Sequence, residues 1–161
     1  VGTRTHQRSI GSKSTLKDLE KWVNTLIETN DWGVGMTHGL TYGYDAFRNP
    51  QRLWDHLDQV KARENEIWVG TFREVASYIK EREETKLEVV NKKNTLLIAP
   101  ELKLDQELFV EPLTMVITGK EIKKVTVKQG KRRLPVQITD DKVLFDFNPY
   151  AGKIKVSFNN K

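Results

Sequence analysis

The chain holds three histidines and no cysteine, which rules out thiolate ligands, thiol nucleophiles and disulfides and leaves imidazole, carboxylate and hydroxyl groups to carry any chemistry. His6, His38 and His56 lie far apart in sequence, and none has the H-x-x-x-H or H-E-x-x-H spacing that holds zinc. No metal ligands are therefore assigned among these residues. His56 falls inside an expected helix, between Asp55 and Leu57, and reads as a surface residue. His6 lies in the polar stretch TRTHQRS with Arg4 and Arg8 and reads as a structural loop residue. His38 differs by position. It stands where the apolar run DWGVGMTHGL passes from strand to loop, and α/β folds collect their ligand-binding residues at that end of a strand. A histidine that only caps the strand end through backbone hydrogen bonds is the competing reading. The loop that follows carries Tyr42, Gly43, Tyr44 and Asp45, aromatic and polar groups suited to stacking on a sugar, or equally to packing at a rim.

The elements that must position these groups differ between the two halves of the chain. Leu16, Leu19, Trp22, Val23, Leu26 and Ile27 recur at spacings of three and four, which predicts an amphipathic helix over about 14–28. Hydroxyls from Ser12 to Thr15 are available to start it and Asn30-Asp31 to stop it. Trp32 to Thr37 reads as a strand covered on both faces, as in a parallel sheet, with Gly33 and Gly35 allowing close backbone approach. Asn49-Pro50 predicts the start of a second helix with an apolar stripe of Leu53, Trp54, Leu57 and Val60. Glu66 to Gly70 reads as another strand, and Thr71 with Glu74 as the capping box of a third helix reaching about Arg82. This alternation is the βα repeat of a parallel sheet or barrel. Two strands cannot bury enough apolar surface alone. The first half is thus expected to be incomplete, with earlier βα units missing before Val1 or with the exposed edge covered by the second half or by another copy.

In the second half the period changes from 3.6 to 2. Strand-like runs occur at 87–90, 95–99, 108–110, 113–118, 125–128, 134–139, 142–147 and 153–158, with turn signals at Gly119-Lys120, Gln129-Gly130, Asp140-Asp141 and Asn148-Pro149. An all-β sandwich of seven or eight strands is expected over 84–161, following an α/β domain over 1–83. Tyr150-Ala151-Gly152 resembles the tyrosine-bearing corner before a late strand of many such sandwiches. The net charge of +5 belongs to this half, much of it between Lys120 and Arg133. Lys123, Lys128 and Lys131 fit the wet side and turn of an antiparallel hairpin. Nucleic-acid binding ranks last, because no aromatic residues are interleaved in that run. No apolar run is long enough to span a membrane.

WGVGMTHG, the proline-started helix and EIWVGTFREVASYIKERE together resemble the end of a polysaccharide deacetylase domain, carbohydrate esterase family four, over about residues 1–83. The resemblance implies that the α/β half is the C-terminal fragment of a distorted (β/α) barrel. It also implies a divalent metal, usually zinc, held by one aspartate and two histidines, with a second aspartate acting as base on the attacking water. The family's last motif is an apolar strand with leucine two residues before a histidine that helps line the acetyl pocket and protonates the leaving amine. His38 matches that histidine and Met36 the leucine, Met being a reasonable apolar wall. Gly39 departs from the acidic residue often found next, and the paired-aspartate and H-x-x-x-H motifs do not occur. The implied function is removal of N- or O-acetyl groups from a polysaccharide or oligosaccharide by a hydrolase that is extracellular or periplasmic. The isolated chain is then expected to be inactive for want of metal ligands. A non-catalytic carbohydrate-binding or adhesion module is the alternative.

Overall fold

Thr15 and Asp18 start the first helix by a reciprocal cap. The Thr15 hydroxyl oxygen accepts the Asp18 amide at 3.1 Å, and the Asp18 carboxylate accepts the Thr15 amide at 3.2 Å. The helix, α1, runs Leu16–Thr29 and ends where Asn30 turns left-handed at φ 55, a conformation asparagine tolerates. These and the following elements come from a computed structural model, which describes residues 4–119, 124–139 and 141–158. The chain divides into two compact units, Val1–Phe72 and Arg73–Lys161.

In the first unit, α1 is the crossover between two parallel strands, β1 (Thr5–Ser9) and β2 (Trp32–Met36), paired from Thr5↔Trp32 to Ser9↔Met36. β1 was not expected, because its polar sequence carries no apolar alternation; the ladder to β2 makes it a strand. Gly33 lets α1 sit close on β2, since a Cβ there would lie 2.2 Å from Leu26 Cδ1. Coverage on both faces is not observed. Trp32 to Val34 are half-buried while Gly35 and Met36 are exposed, because this sheet has two strands and neither flank has a neighbour among the described residues.

The second helix, α2, runs Gln51–Lys61, with the Asn49 side chain accepting the Gln51 amide at 3.0 Å. Its expected stripe is only partly right. Leu53 packs against the small core of Ile10, Leu19 and Phe47, but Trp54 and Leu57 are nearly half exposed and His56 is buried. Positions 53, 56 and 60 make the inward face, a helical spacing of three and four. Glu66–Gly70 forms no strand. The amides of Glu66 and Ile67 both bond back to the Arg63 carbonyl, at 2.9 and 3.0 Å, which prolongs the turn after α2. An open groove of about 670 Å³ lies beside it, with Leu57, Val60, Ile67 and Val69 among its apolar walls.

The second unit takes the third helix with it. This helix, α3, spans Phe72–Glu84; Tyr78 packs on the β core, and the Glu111 amide donates to Glu81 Oε1 at 2.9 Å. The division therefore falls after residue 72, not after 83. Strands β3 (Lys86–Lys92), β4 (Thr95–Glu101), β5 (Leu113–Thr118), β6 (Val125–Gln129), β7 (Arg132–Leu134), β8 (Gln137–Ile138), β9 (Lys142–Phe147) and β10 (Ile154–Phe158) form two antiparallel sheets. Their orders are β3-β4-β10-β6-β7 and β5-β9-β8. Ile98, Val125, Val127, Ile154 and Val156 of the first meet Leu113, Val143, Phe145 and Phe147 of the second in one core.

Two expected strands are corrected. Residues 108–110 turn instead, with the Leu108 and Phe109 amides bonded to the Asp105 carbonyl. The run 134–139 is cut by Pro135, which has no N–H for a ladder, so β7 stays in the larger sheet while β8 joins the smaller. Lys128, Lys131, Arg132 and Arg133 are exposed on the β6–β7 hairpin. Lys120, Lys123 and Asp140, named in the expected hairpin and turns, lie outside the described residues. The Tyr150 hydroxyl points back to the Leu104 carbonyl at 3.4 Å. Among the described residues no helix is long and apolar enough to cross a membrane.

Candidate functional site

Both parallel strands of the first unit end on the same side, and the Ile10 amide extends their ladder to the Met36 carbonyl at 2.8 Å. Two loops leave from there, residues 10–15 toward α1 and 37–50 toward α2. They are tied together. Asp45 Oδ1 accepts the Ser12 amide at 3.2 Å and the Ser12 hydroxyl at 2.5 Å. Arg52 Nη1 donates to the carbonyls of Ser12 and Ser14 at 3.0 and 3.1 Å. Gly11 is required for this fit, because a Cβ there would sit 2.0 Å from the Asp45 carbonyl oxygen. The Ser12 hydroxyl, more than Lys13 or His38, holds the Asp45 carboxyl below the usual carboxylate range against the opposing effect of burial.

The second loop folds back on itself. Ala46 and Phe47 anchor it in the core, and the Phe47 amide bonds to the Gly39 carbonyl at 3.3 Å. Gly39 packs so closely under the Tyr42 carbonyl that a Cβ would lie 2.4 Å from its oxygen. Gly43 takes φ 118, while Asp45 and Arg48 adopt left-handed φ of 48 and 67, an arrangement that costs free energy and is held by these contacts.

The loop presents His38, exposed, with its ring edge-on to Tyr44 at a centroid distance of 5.5 Å and an interplanar angle of 80°. Tyr42 and Tyr44 are 84% and 83% exposed and Met36 41%. At this exposure the two tyrosine rings are largely uncovered by the chain's own packing. Met36, His38, Tyr42 and Tyr44 thus share one end of β2, and His38 and Tyr44 are in contact. Asp45 is different. It was expected to offer a polar group to a ligand, and its carboxylate instead faces Ser12. The latch of Gly11, Ser12, Asp45 and Arg52 was not foreseen, although Gly11-Ser12 directly after Ile10 is a signal of close backbone approach.

The other histidines stand apart from this site. His6 Nε2 lies 2.8 Å from Asp31 Oδ2 near the starts of the strands. Bonds from Thr29, then His6, with help from Arg4, hold the Asp31 carboxyl below its ordinary range. His56 is 5% exposed, which corrects its reading as a surface residue, and its Nδ1 has no partner among the described residues. Burial pushes its imidazole down, toward the neutral form.

Among the described residues no group of three or more histidine, cysteine, aspartate or glutamate side chains is placed to hold a metal ion. These residues do not fit the divalent metal that the deacetylase resemblance implies, and no chemical step is derived through one.

No protein-family model and no curated protein matches the chain. Among solved structures, it is similar to the alpha-L-fucosynthase of Thermotoga maritima, at 11% identity and a TM-score of 0.30, over 95% of this chain and 38% of that one. The chain spans well under half of that protein, and a likeness at this TM-score carries no argument about fold or chemistry.

Proposed function

We propose that the first unit forms one wall of a polysaccharide deacetylase site, in which His38 protonates the amine that leaves as an N-acetyl group of a glycan is hydrolysed. The observation that carries this reading is the placement of His38. It is exposed at the C-terminal end of a parallel strand, two residues after Met36, on a loop held by the Asp45–Ser12 latch and edge-on to Tyr44. Cleaving the acetamide adds water to the carbonyl carbon and breaks the C–N bond, and an amide nitrogen leaves only once protonated. In this reading His38 is the general acid that supplies that proton. Met36 would face the acetyl methyl, and Tyr42 and Tyr44 would stack on neighbouring sugar rings.

On this reading the two-stranded sheet is the C-terminal part of a distorted (β/α) barrel whose other strands supply the metal ligands. Further chain or self-association would complete the open sheet. A hydrolase acting on polymeric glycan would work outside the cell or in the periplasm.

The test is acetate release from acetylated chito-oligosaccharides. The 161-residue chain is expected to release none with or without zinc. A protein extended upstream of Val1 is expected to turn over with zinc and to lose about 10²-fold or more in kcat as His38→Ala. Zinc-dependent turnover by the 161-residue chain, or full activity of the extended His38→Ala protein, would show the reading wrong. The exposure of Tyr42 and Tyr44 also suits a non-catalytic carbohydrate-binding module. That reading predicts glycan binding that survives His38→Ala and no turnover from any form of the protein.

A further inference from the structure

One edge of the five-stranded sheet is uncovered. All residues of β3 are exposed, with Leu87, Val89 and Val90 at 43%, 55% and 51%, and β3 is hydrogen-bonded on one side only, to β4. Natural edge strands are commonly shortened, bulged or interrupted by proline. β3 is none of these, and the edge protection it carries is the charge of Lys86, Glu88 and Lys92. Its register with β4 runs unbroken from Lys86↔Glu101 to Lys92↔Thr95.

Which backbone groups point outward follows from the turn. Lys92 and Thr95 flank the two-residue turn Lys93-Asn94, with Lys93 at φ 51, and residues flanking such a turn form a hydrogen-bonded pair. Bonded and non-bonded pairs then alternate along the ladder. Glu88, Val90 and Lys92 therefore direct their N–H and C=O groups to β4, and Leu87, Val89 and Asn91 direct theirs to solvent. An added strand bonds through these residues.

Three symmetric antiparallel registers, centred on Glu88, Val89 and Val90, bond at least two of these residues, and charge separates them. A pairing centred on Glu88 sets that residue against its own copy, one centred on Val89 bonds all three outward residues but sets Lys86 against Lys92 twice, and like charges directly opposite destabilise. A pairing centred on Val90 sets Val89 against Asn91 in bonded pairs, Val90 against its own copy and Glu88 against Lys92 twice, and leaves Leu87 opposite the turn residue Lys93. The pairs of Glu88 with Lys92 fall at non-bonded positions, where side chains approach most closely. Neither Glu88 nor Lys92 has an ion-pair partner among the described residues.

We propose that β3 pairs antiparallel with β3 of a second copy about a two-fold axis at Val90, joining two five-stranded sheets into one. Contact confined to strand edges is small, toward or below the low end of about 1,200 Å² for specific interfaces. The dimer is therefore weak and reversible.

Sedimentation equilibrium of the 161-residue chain from about 10 µM to about 1 mM tests this. Monomer–dimer exchange is expected within that range. Glu88→Lys and Lys92→Glu each convert both opposite-charge pairs into like-charge pairs, and each is expected to raise the dimer Kd about tenfold or more. The double exchange E88K/K92E restores opposite charges and is expected to return Kd to within about threefold of the parent. Val89→Pro removes an N–H that β4 does not use, so it is expected to abolish dimerisation while leaving the circular dichroism spectrum unchanged. A chain that stays monomeric to about 1 mM, a dimer indifferent to the single exchanges, or single variants that the double exchange does not rescue would each overturn the proposal.

Discussion

Glu81 shows how burial changes the behaviour of one side chain in the β unit. It is fully buried on α3, with one carboxylate oxygen accepting the Glu111 amide and the other without a partner among the described residues. Burial, reinforced by the nearby Glu111 charge and only partly offset by the Glu111 amide, pushes its carboxyl above the ordinary glutamate range. A carboxyl with a raised folded pKa keeps its proton longer when folded. Its ionisation therefore lowers stability as pH rises from the ordinary range through the raised value, and the penalty is absent below it. Glu81→Gln keeps an acceptor for the Glu111 amide and removes the charge. Thermal melts are expected to show it more stable at pH 7 by about 1 kcal/mol, with the difference closing toward about pH 4. A difference that is constant with pH would show that ionisation is not the cause. Nothing in the string REVASYIKERE marked Glu81 as buried, because an acidic residue on a helix is ordinarily solvated. His56 escaped for a similar reason. A lone histidine between Asp55 and Leu57 on a helix is ordinarily at the surface, whereas here it lies on the inward face with Leu53 and Val60.

At the scale of elements, the strongest sequence signals were those whose physics is local. A capping hydroxyl before α1, supplied by Thr15, Asn30 as the left-handed stop of α1 and the bond from the Gln51 amide to the Asn49 side chain at the start of α2 need only neighbouring residues, and each forms. Elements that need a distant partner were less legible. β1 became a strand because β2 lies beside it, and Glu66–Gly70 did not because no ladder takes it up. The latch beneath the His38 loop also depends on distant residues, and Gly11 makes it testable. In Gly11→Ala the new Cβ would meet the Asp45 backbone carbonyl at 2.0 Å, whereas in Gly35→Ala the nearest atom is Ile10 Cδ1 at 3.4 Å. Chemical denaturation is expected to show Gly11→Ala destabilised by about 1–3 kcal/mol and Gly35→Ala changed by less than about 0.5 kcal/mol. Equal losses would mean that the loop rearranges freely and that the latch does not hold it.

The two units differ in how much apolar surface they bury. The first has a small core of Ile10, Leu19 and Phe47 with Leu53 against it, and its sheet has two strands. The second closes two sheets over a core drawn from β4, β5, β6, β9 and β10, in which Val127, Val143, Ile154 and Val156 are fully buried. Amide protection follows the local free energy of opening. Native-state hydrogen exchange is expected to leave the central β10 amides among the slowest and to exchange β1 and β2 about 10²-fold faster or more. Comparable protection in β1 and β2 would mean that the first unit is as stable as the second.

From the sequence alone came the change of period from helical to alternating, the caps and turn residues, and the position of His38 at the end of a strand after Met36. These depend on residues close in the chain, where spacing is itself geometry. Tertiary structure decided the parallel pairing of β1 with β2, the transfer of α3 to the β unit, the break at Pro135 between two sheets and the burial of His56 and Glu81. It also decided which groups stand around His38, with Tyr44 against its ring and Asp45 turned to Ser12. Those outcomes rest on contacts between residues far apart in the chain, and a one-dimensional pattern specifies which face of an element is apolar without specifying what it will meet.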